Sequence, residues 1–323
     1  LHTKAVIMLC TATALATPSG EPPGAAVPLS AAHLGHSGGE RTTQALYAVP
    51  TTRDQIGRIL APVTVNGRGP FRFMVDTGAT HTVLAASLLP KLGLTANTQA
   101  RANVHGINGS VQAPTALVLS LDAGALHLRD AQIPVLSGPV LKGIDGIIGL
   151  DALNGRSMTV DFEHDRISIG SAFSGVPLDE AVVPARLVSQ RLFEVDAQVA
   201  GIPVKAVIDT GGPRTLGNVA LLRAVEHKTG AGVVSILTGV VDATDVSQAA
   251  HFEPVPSLQL GSLTITRPYV TFGDFRVFQR WGLRGQPALL IGMDVLGVFA
   301  DMTISYRWYE LGLRPTAQMI ALQ

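Results

Sequence analysis

The tripeptide Asp-Thr-Gly stands twice in this chain, 133 positions apart, each time at the end of an apolar run. The first occurrence is Phe73-Met74-Val75-Asp76-Thr77-Gly78-Ala79 and the second is Ala206-Val207-Ile208-Asp209-Thr210-Gly211-Gly212. The flanks agree as well. Ile147-Ile148-Gly149-Leu150-Asp151-Ala152-Leu153 pairs with Leu290-Ile291-Gly292-Met293-Asp294-Val295-Leu296, and Met158-Thr159-Val160-Asp161-Phe162 pairs with Met302-Thr303-Ile304-Ser305-Tyr306. Agreement at three separated places makes the chain two copies of one unit. Whatever it folds into is built twice, with the two Asp-Thr-Gly turns in equivalent positions.

Each copy opens on strand-like runs. Ile59 to Val65 is followed by Asn66-Gly67, a hairpin signal, and then by Phe71 to Val75 running into Asp76. In the second copy Phe193 to Val199 turns at Ala200-Gly201 and returns through Val204 to Ile208. The alternation of Val195, Ala197 and Val199 has the period of two expected of a half-buried strand. The composition, 46% apolar but only 5% aromatic, with 34 Gly and 20 Pro, suits short strands and many turns. Helix is expected to be minor: Ala85 to Leu92, stopped by Gly93, and its counterpart Val219 to His227. The expected organisation is an N-terminal lobe over 53–175 and a C-terminal lobe over 185–323. A Gly- and Pro-containing connection, roughly Ser171 to Pro184, joins them.

The first 16 residues read as an export signal: His2 and Lys4, an apolar stretch from Ala5 to Cys10, and a small-x-small site at Ala14-Leu15-Ala16. Residues 17–52, rich in Pro, Gly, Ala and Ser, read as a flexible leader or pro-segment. An exported chain of this kind is expected to be periplasmic or secreted. Cleavage after Ala16 removes the only Cys, so neither a disulfide nor a thiol nucleophile is expected. With 24 basic and 24 acidic side chains, net charge zero, no nucleic-acid footprint is expected. No membrane span is expected in the mature chain.

These motifs carry a resemblance. Over about residues 56 to 315 the chain resembles the aspartic proteases: each half is similar to a retropepsin protomer, and the fused pair to a bilobal, pepsin-type enzyme. The run from Asp76 through Thr77, Gly78, Ala79, Thr80, His81 and Thr82 to Val83-Leu84 is close to the retropepsin form. The resemblance implies an all-β fold of two similar retropepsin-like β-barrel lobes, the acid protease fold, with minor helix. It implies that Asp76 and Asp209 are the catalytic pair and that a peptide or protein is the substrate. It further implies that Thr77 and Thr210 hydrogen-bond across the interface, and that Gly149 and Gly292 support the loops from behind. Each half resembles a protomer that normally dimerises and the chain holds both, so a monomer is expected. No cofactor and no metal is called for. The chemistry stands on its own terms. Two adjacent carboxylates share one proton, so the ionised member activates a water as general base while the protonated one polarises a carbonyl. Gly78 and Gly211 let backbone N–H groups approach the carboxylates.

The second copy departs from the family pattern at Gly212-Pro213-Arg214, where Pro213 restricts the backbone just after the loop. A catalytically silent peptide- or ligand-binding protein on the same fold is therefore the alternative reading. The positions after the two Asp-Thr-Gly turns are Ala79 and Gly212, without the hydroxyl usual in pepsin-like sites. Fewer hydrogen bonds to the carboxylates raise their affinity for protons, so an optimum less acidic than pepsin's is expected. The segment His105-Gly106-Ile107-Asn108-Gly109-Ser110 reads as a substrate-binding flap, a mobile hairpin suited to closing over a peptide. Ile236 to Val240 is its weaker counterpart. Gly35-His36-Ser37-Gly38-Gly39 matches a serine-hydrolase elbow but lacks a strand before it. His33 and His36 read as solvated. Asp151 and Asp294 read as capping residues, and His81 as a loop histidine with a structural hydrogen bond.

Overall fold

The computed structural model describes residues 58–317 apart from 154, 171–174, 190 and 231–235, together with the backbone of five short strands before residue 54. The expected export signal and leader, with the Gly35 to Gly39 motif and both leader histidines, therefore lie outside the described residues except for those strand segments. Strands dominate. The longest helix among the described residues is Val219–Thr229. None of these helices is long and apolar enough to cross a membrane.

The two Asp-Thr-Gly segments are built by the same local physics. Strand Ile59–Val65 pairs antiparallel with Arg68–Val75, and Leu192–Val199 with Ile202–Ile208. Both hairpins close on a pair of residues at positive φ, Asn66 (49°) with Gly67 (72°) and Ala200 (50°) with Gly201 (70°). That left-handed pair matches the twist of the strands it joins. A short strand then wedges in beside each returning strand. Gly146–Ile148 runs parallel to Arg68–Val75 and antiparallel to Val83–Ala85. Ala288–Ile291 runs parallel to Ile202–Ile208 and antiparallel to Leu216–Asn218. The chain must leave the sheet where these wedges end, and it does so at the two aspartates. The Asp76 N–H donates to the Ile148 carbonyl at 3.0 Å and the Asp209 N–H to that of Ile291 at 2.9 Å.

The expected helices are present with different extents. Ala86–Leu88 is a 3-10 turn that leads into Leu89–Leu92, capped by Gly93 at φ 68°. The second helix runs on to Thr229. Its Asn218 cap accepts the Leu221 N–H at 2.9 Å, and Gly230 ends it in the left-handed region. Polar Lys228 and Thr229 add about half a turn that apolar periodicity does not mark.

The copies also differ in one long strand. Ser110–Ala123 first pairs with Asn97–His105 and then reaches Ile59–Val65. In the second copy two strands divide that work. Ser247–Pro254 pairs with Ile236–Asp242, and Ser257–Leu260 with Leu192–Val199. Pro254 and Pro256 interrupt the ladder between them, since neither can donate a hydrogen bond.

A shared sheet joins the halves. Ser157–Asp161 and Asp301–Ser305, the third matching pair of the repeat, lie antiparallel to each other in a register centred on Thr159 and Thr303. The two hydroxyls meet at 3.0 Å, so the approximate two-fold axis of the repeat passes between them. Arg166–Gly170 flanks one side. Glu310–Arg314 and then Ala181–Val188 flank the other.

Glu180 lies at the edge of this sheet, 6% exposed. Its Oε1 accepts the Thr303 hydroxyl at 2.8 Å, Oε2 has no partner, and the carboxyl rests against Gly312, where any Cβ would collide. Burial pushes its pKa from 4.5 up to about 7, the Thr303 bond draws it back, and Asp301 and Asp179 push it further. A carboxyl whose folded pKa is raised stabilises the fold fully below its unfolded pKa, and that contribution is lost as pH rises through the folded value. Stability is thus expected to fall between about pH 4.5 and pH 7. A shift of this size corresponds to about 3 kcal/mol at most. Glu180→Gln should flatten that dependence and raise stability at mildly alkaline pH, as read from urea unfolding on both sides of the window.

Candidate active site

The two wedges deliver Asp76 and Asp209 to the same place, and both are fully buried. The threonines that follow hold the loops together reciprocally. The Thr77 hydroxyl donates to the Ile208 carbonyl and that of Thr210 to the Val75 carbonyl, each at 2.8 Å. Each hydroxyl in turn accepts the other threonine's backbone N–H at 3.1 Å. These four buried bonds relate the loops by the same approximate two-fold, so the aspartates are brought face to face. The cross-interface bonding implied for Thr77 and Thr210 is therefore present.

The carboxylates are held by backbone. The Gly78 N–H donates to Asp76 Oδ1 at 2.8 Å, and the N–H groups of Gly211 and Gly212 donate to Asp209 Oδ1 at 3.0 Å each. The Asp76 carboxylate lies directly against the Cα of Gly211, where a Cβ would overlap it. Gly211 is thus required by close approach rather than by its φ. The second oxygen of Asp209 is buried without a hydrogen-bond partner. Burial first, and then the charge of Asp76 beside it, push the Asp209 pKa well above the ordinary carboxylate value, while the Gly211 and Gly212 N–H groups draw it down. Two carboxylates in this contact hold one proton between them far more readily than they both ionise.

A second matched set fastens the loops from behind. Asp151 accepts the N–H and hydroxyl of Thr82 at 2.9 and 2.8 Å, and Asp294 accepts those of Thr215 at 3.0 and 2.7 Å. The threonine hydroxyls accept the N–H groups of Gly149 and Gly292. A Cβ on Gly149 would strike the His81 main chain, and one on Gly292 that of Arg214 and Gly212. Asp151 does cap its own short helix through the Ala152 N–H, but both aspartates chiefly tie helix to loop. Thr82 and Thr215, each six residues after its Asp, escaped the sequence reading, although that common offset was there to find. Ala79 is buried and its carbonyl accepts the Leu150 N–H. His81 bonds the Thr80 hydroxyl at 3.0 Å, as a loop histidine should. Pro213 does not displace the second loop, because Gly212 still donates to Asp209 and accepts from Met293.

The hairpins lie differently from the sequence expectation. The tip Gly106 to Gly109 is buried, with Ile107 fully so. Its mate in the second copy is the turn following strand Ile236–Asp242; Ile236 to Val240, expected as the flap, is part of that strand. The two tips meet. Asp242, fully buried, accepts the N–H groups of Asn108 and Gly109 at 2.6 and 3.0 Å. It also binds the N–H and hydroxyl of Thr244 and the N–H of Val246. The Asn108 side chain donates to the Val240 and Val246 carbonyls. From helix Arg276–Arg280, Val277 N–H donates to the Ile107 carbonyl. Arg280 grips the Gly106 and Gly109 carbonyls at 2.6 and 2.9 Å and the Ser110 hydroxyl at 2.9 Å. Burial, and then the Arg280 charge, hold the His105 pKa below its usual value. Neither Asp242 nor Arg280 was visible as functional in the sequence, since Asp242 has no matching Asp in the first copy.

With this geometry in place, the comparisons fit it. A family model described as aspartyl protease matches residues 61–152, from the first strand of the first copy through the Asp76 loop to the Gly149-Leu150-Asp151 segment. No curated protein matches the chain.

Removing the Asp242 carboxylate strands the buried N–H groups of Asn108 and Gly109 and the part-buried ones of Thr244 and Val246 at the junction of the two tips. Asp242→Ala should cost on the order of 2–4 kcal/mol of stability. Hydrogen exchange should accelerate more than about tenfold at Asn108 and Gly109, with the amides of Thr77 and Thr210 still protected.

Proposed function

We propose that the protein is an aspartic endopeptidase, built as two similar retropepsin-like lobes with Asp76 and Asp209 as its catalytic pair. The observation that carries this reading is the meeting of the two buried aspartates on loops locked by reciprocal threonine bonds, inside a chain whose first copy matches aspartyl proteases. An extended peptide would lie between the dyad loops and the hairpins, held through its backbone as an added strand. The shared proton leaves one carboxylate ionised. That member takes a proton from the attacking water while the other hydrogen-bonds the scissile carbonyl oxygen. The tetrahedral intermediate then collapses as the carboxyl pair returns a proton to the leaving amine. Fixed backbone donors at Gly78, Gly211 and Gly212 hold the carboxylates in place before substrate arrives, so little reorganisation is needed during the reaction.

A silent peptide-binding protein is the second reading, and the clasp between the hairpin tips favours it, because a peptide enters only when that clasp opens. Cleavage of a diverse peptide library separates the two. The wild type should cut, and Asp76→Asn and Asp209→Asn should each lose at least about a hundredfold in rate. A folded wild type that binds extended peptides and cuts none establishes the silent reading instead.

The pH profile carries a further expectation. Activity needs the pair singly protonated, so it falls as the pair loses its last proton at high pH and as it gains a second at low pH. The raised Asp209 pKa shifts the basic limb upward. Cleavage followed between about pH 2 and pH 8 should peak on the less acidic side of a pepsin-like profile, and a sharp maximum near pH 2 overturns this.

A further inference from the structure

Arg214 is the one basic residue on the second dyad loop, and the chemistry above gives it no task. Its main chain is fixed. Thr215, the next residue, is tied to Asp294 through both N–H and hydroxyl, and the Arg214 carbonyl packs on Gly292. Its side chain is exposed, and the guanidinium carbon stands 4.8 Å over the ring of Phe252. Phe252 stacks in turn on Tyr269, with centroids 4.7 Å apart and planes within 11°. Among the described residues no carboxylate forms an ion pair with Arg214. The Arg214 charge acts on Asp294 of helix Met293–Leu296, but that carboxylate is buried and committed to Thr215.

The placement matters because of what the stack connects. Arg214 belongs to the loop that carries Asp209, whereas Phe252 belongs to Ser247–Pro254, the strand that returns from the clasped tip. The guanidinium therefore bridges the dyad loop and the hairpin strand. Apolar side chains beside it are exposed: Ile236, opposite Phe252 in register, is 53% exposed and Tyr269 is 42% exposed. A guanidinium resting on one ring still carries several N–H donors. Their planar fork matches the geometry of a carboxylate.

We propose that Arg214 is a specificity-determining residue that receives a carboxylate of the bound peptide. The favoured substrates then carry an acidic group at a fixed distance from the scissile bond, on the Asp209 side of the dyad. This rests on the reading of the dyad as a peptide-binding site. Two sources supply the same chemistry, an internal Asp or Glu side chain and the free C-terminus of a short peptide. The stem of an acidic side chain would lie along Ile236 and Tyr269.

The test is a peptide library prepared in free-acid and amidated forms, profiled with the wild type and with Arg214→Glu. The wild type is expected to enrich Asp and Glu at one position relative to the cut. Arg214→Glu should lose about a hundredfold in kcat/KM on acidic peptides. It should gain preference for Lys or Arg at that position. A preference that survives amidation assigns the side chain; one that amidation abolishes assigns the C-terminus. Cleavage with no acidic preference, or an unchanged profile in Arg214→Glu, overturns the proposal while leaving the protease reading intact. Binding to Asp76→Asn, read by fluorescence anisotropy, keeps the two readings apart. Acidic peptides that bind at least about tenfold tighter than their Ala-substituted versions support the subsite even where no peptide is cut. Equal affinities in that assay overturn it.

Discussion

The structure depends first on the four hydrogen bonds exchanged by Thr77 and Thr210. Each hydroxyl donates to the strand that ends in the opposite loop and accepts from the opposite threonine. Neither half can therefore complete its own loop alone. The bonds are buried, so breaking one exposes no group to water in compensation, and the full cost of an unmet donor or acceptor is felt. With this knot tied, the positions of both aspartates follow from strand geometry, because each stands at the residue where its strand parts from the wedge beside it.

The electrostatics follow from that placement. A carboxylate pair enclosed away from water is held together only if its charge is reduced. The Gly78 N–H serves Asp76 Oδ1 and two N–H groups serve Asp209 Oδ1, while no donor of the surrounding protein reaches Asp209 Oδ2. A proton shared with the Asp76 carboxyl fills that place. The same logic appears at Glu180, another buried carboxyl with one oxygen bonded and the other bare. Both sites bind protons more tightly than water-exposed acids, so mild acid favours both the fold and the singly protonated pair.

Much of this was legible in the sequence because the repeat displays it twice. The hairpin turns, the aspartates, the threonines after them and the supporting Gly149 and Gly292 are short-range features with fixed spacing, and each copy vouches for the other. The shared sheet is foreshadowed too: Met158-Thr159 and Met302-Thr303 match because the axis passes through them. What escaped was whatever the copies do not share. Asp242 contacts Asn108 across 134 residues, between turns of different sequence. No periodicity marks such a pair, and an Asp two residues before a Thr reads as an ordinary turn. The burial of the hairpin tip escaped for the same reason. Two glycines around Ile107 signal conformational freedom, while the Arg280 and Asp242 that restrain them lie far along the chain.

The inequality of the two hairpin tips has one more consequence. The floor of the site is nearly symmetric, with two aspartates, two threonines and two glycines related by a half-turn. The roof is not: a glycine-rich tip comes from one side, and an acidic turn from the other. A polypeptide is itself directional, since its N–H and C=O groups alternate in a fixed sense from end to end. On a symmetric floor beneath a symmetric roof, such a strand would lie equally well in either orientation. For a peptide bound as proposed, the clasp would remove that degeneracy and give the site a polarity, with one end for the N-terminus and the other for the C-terminus.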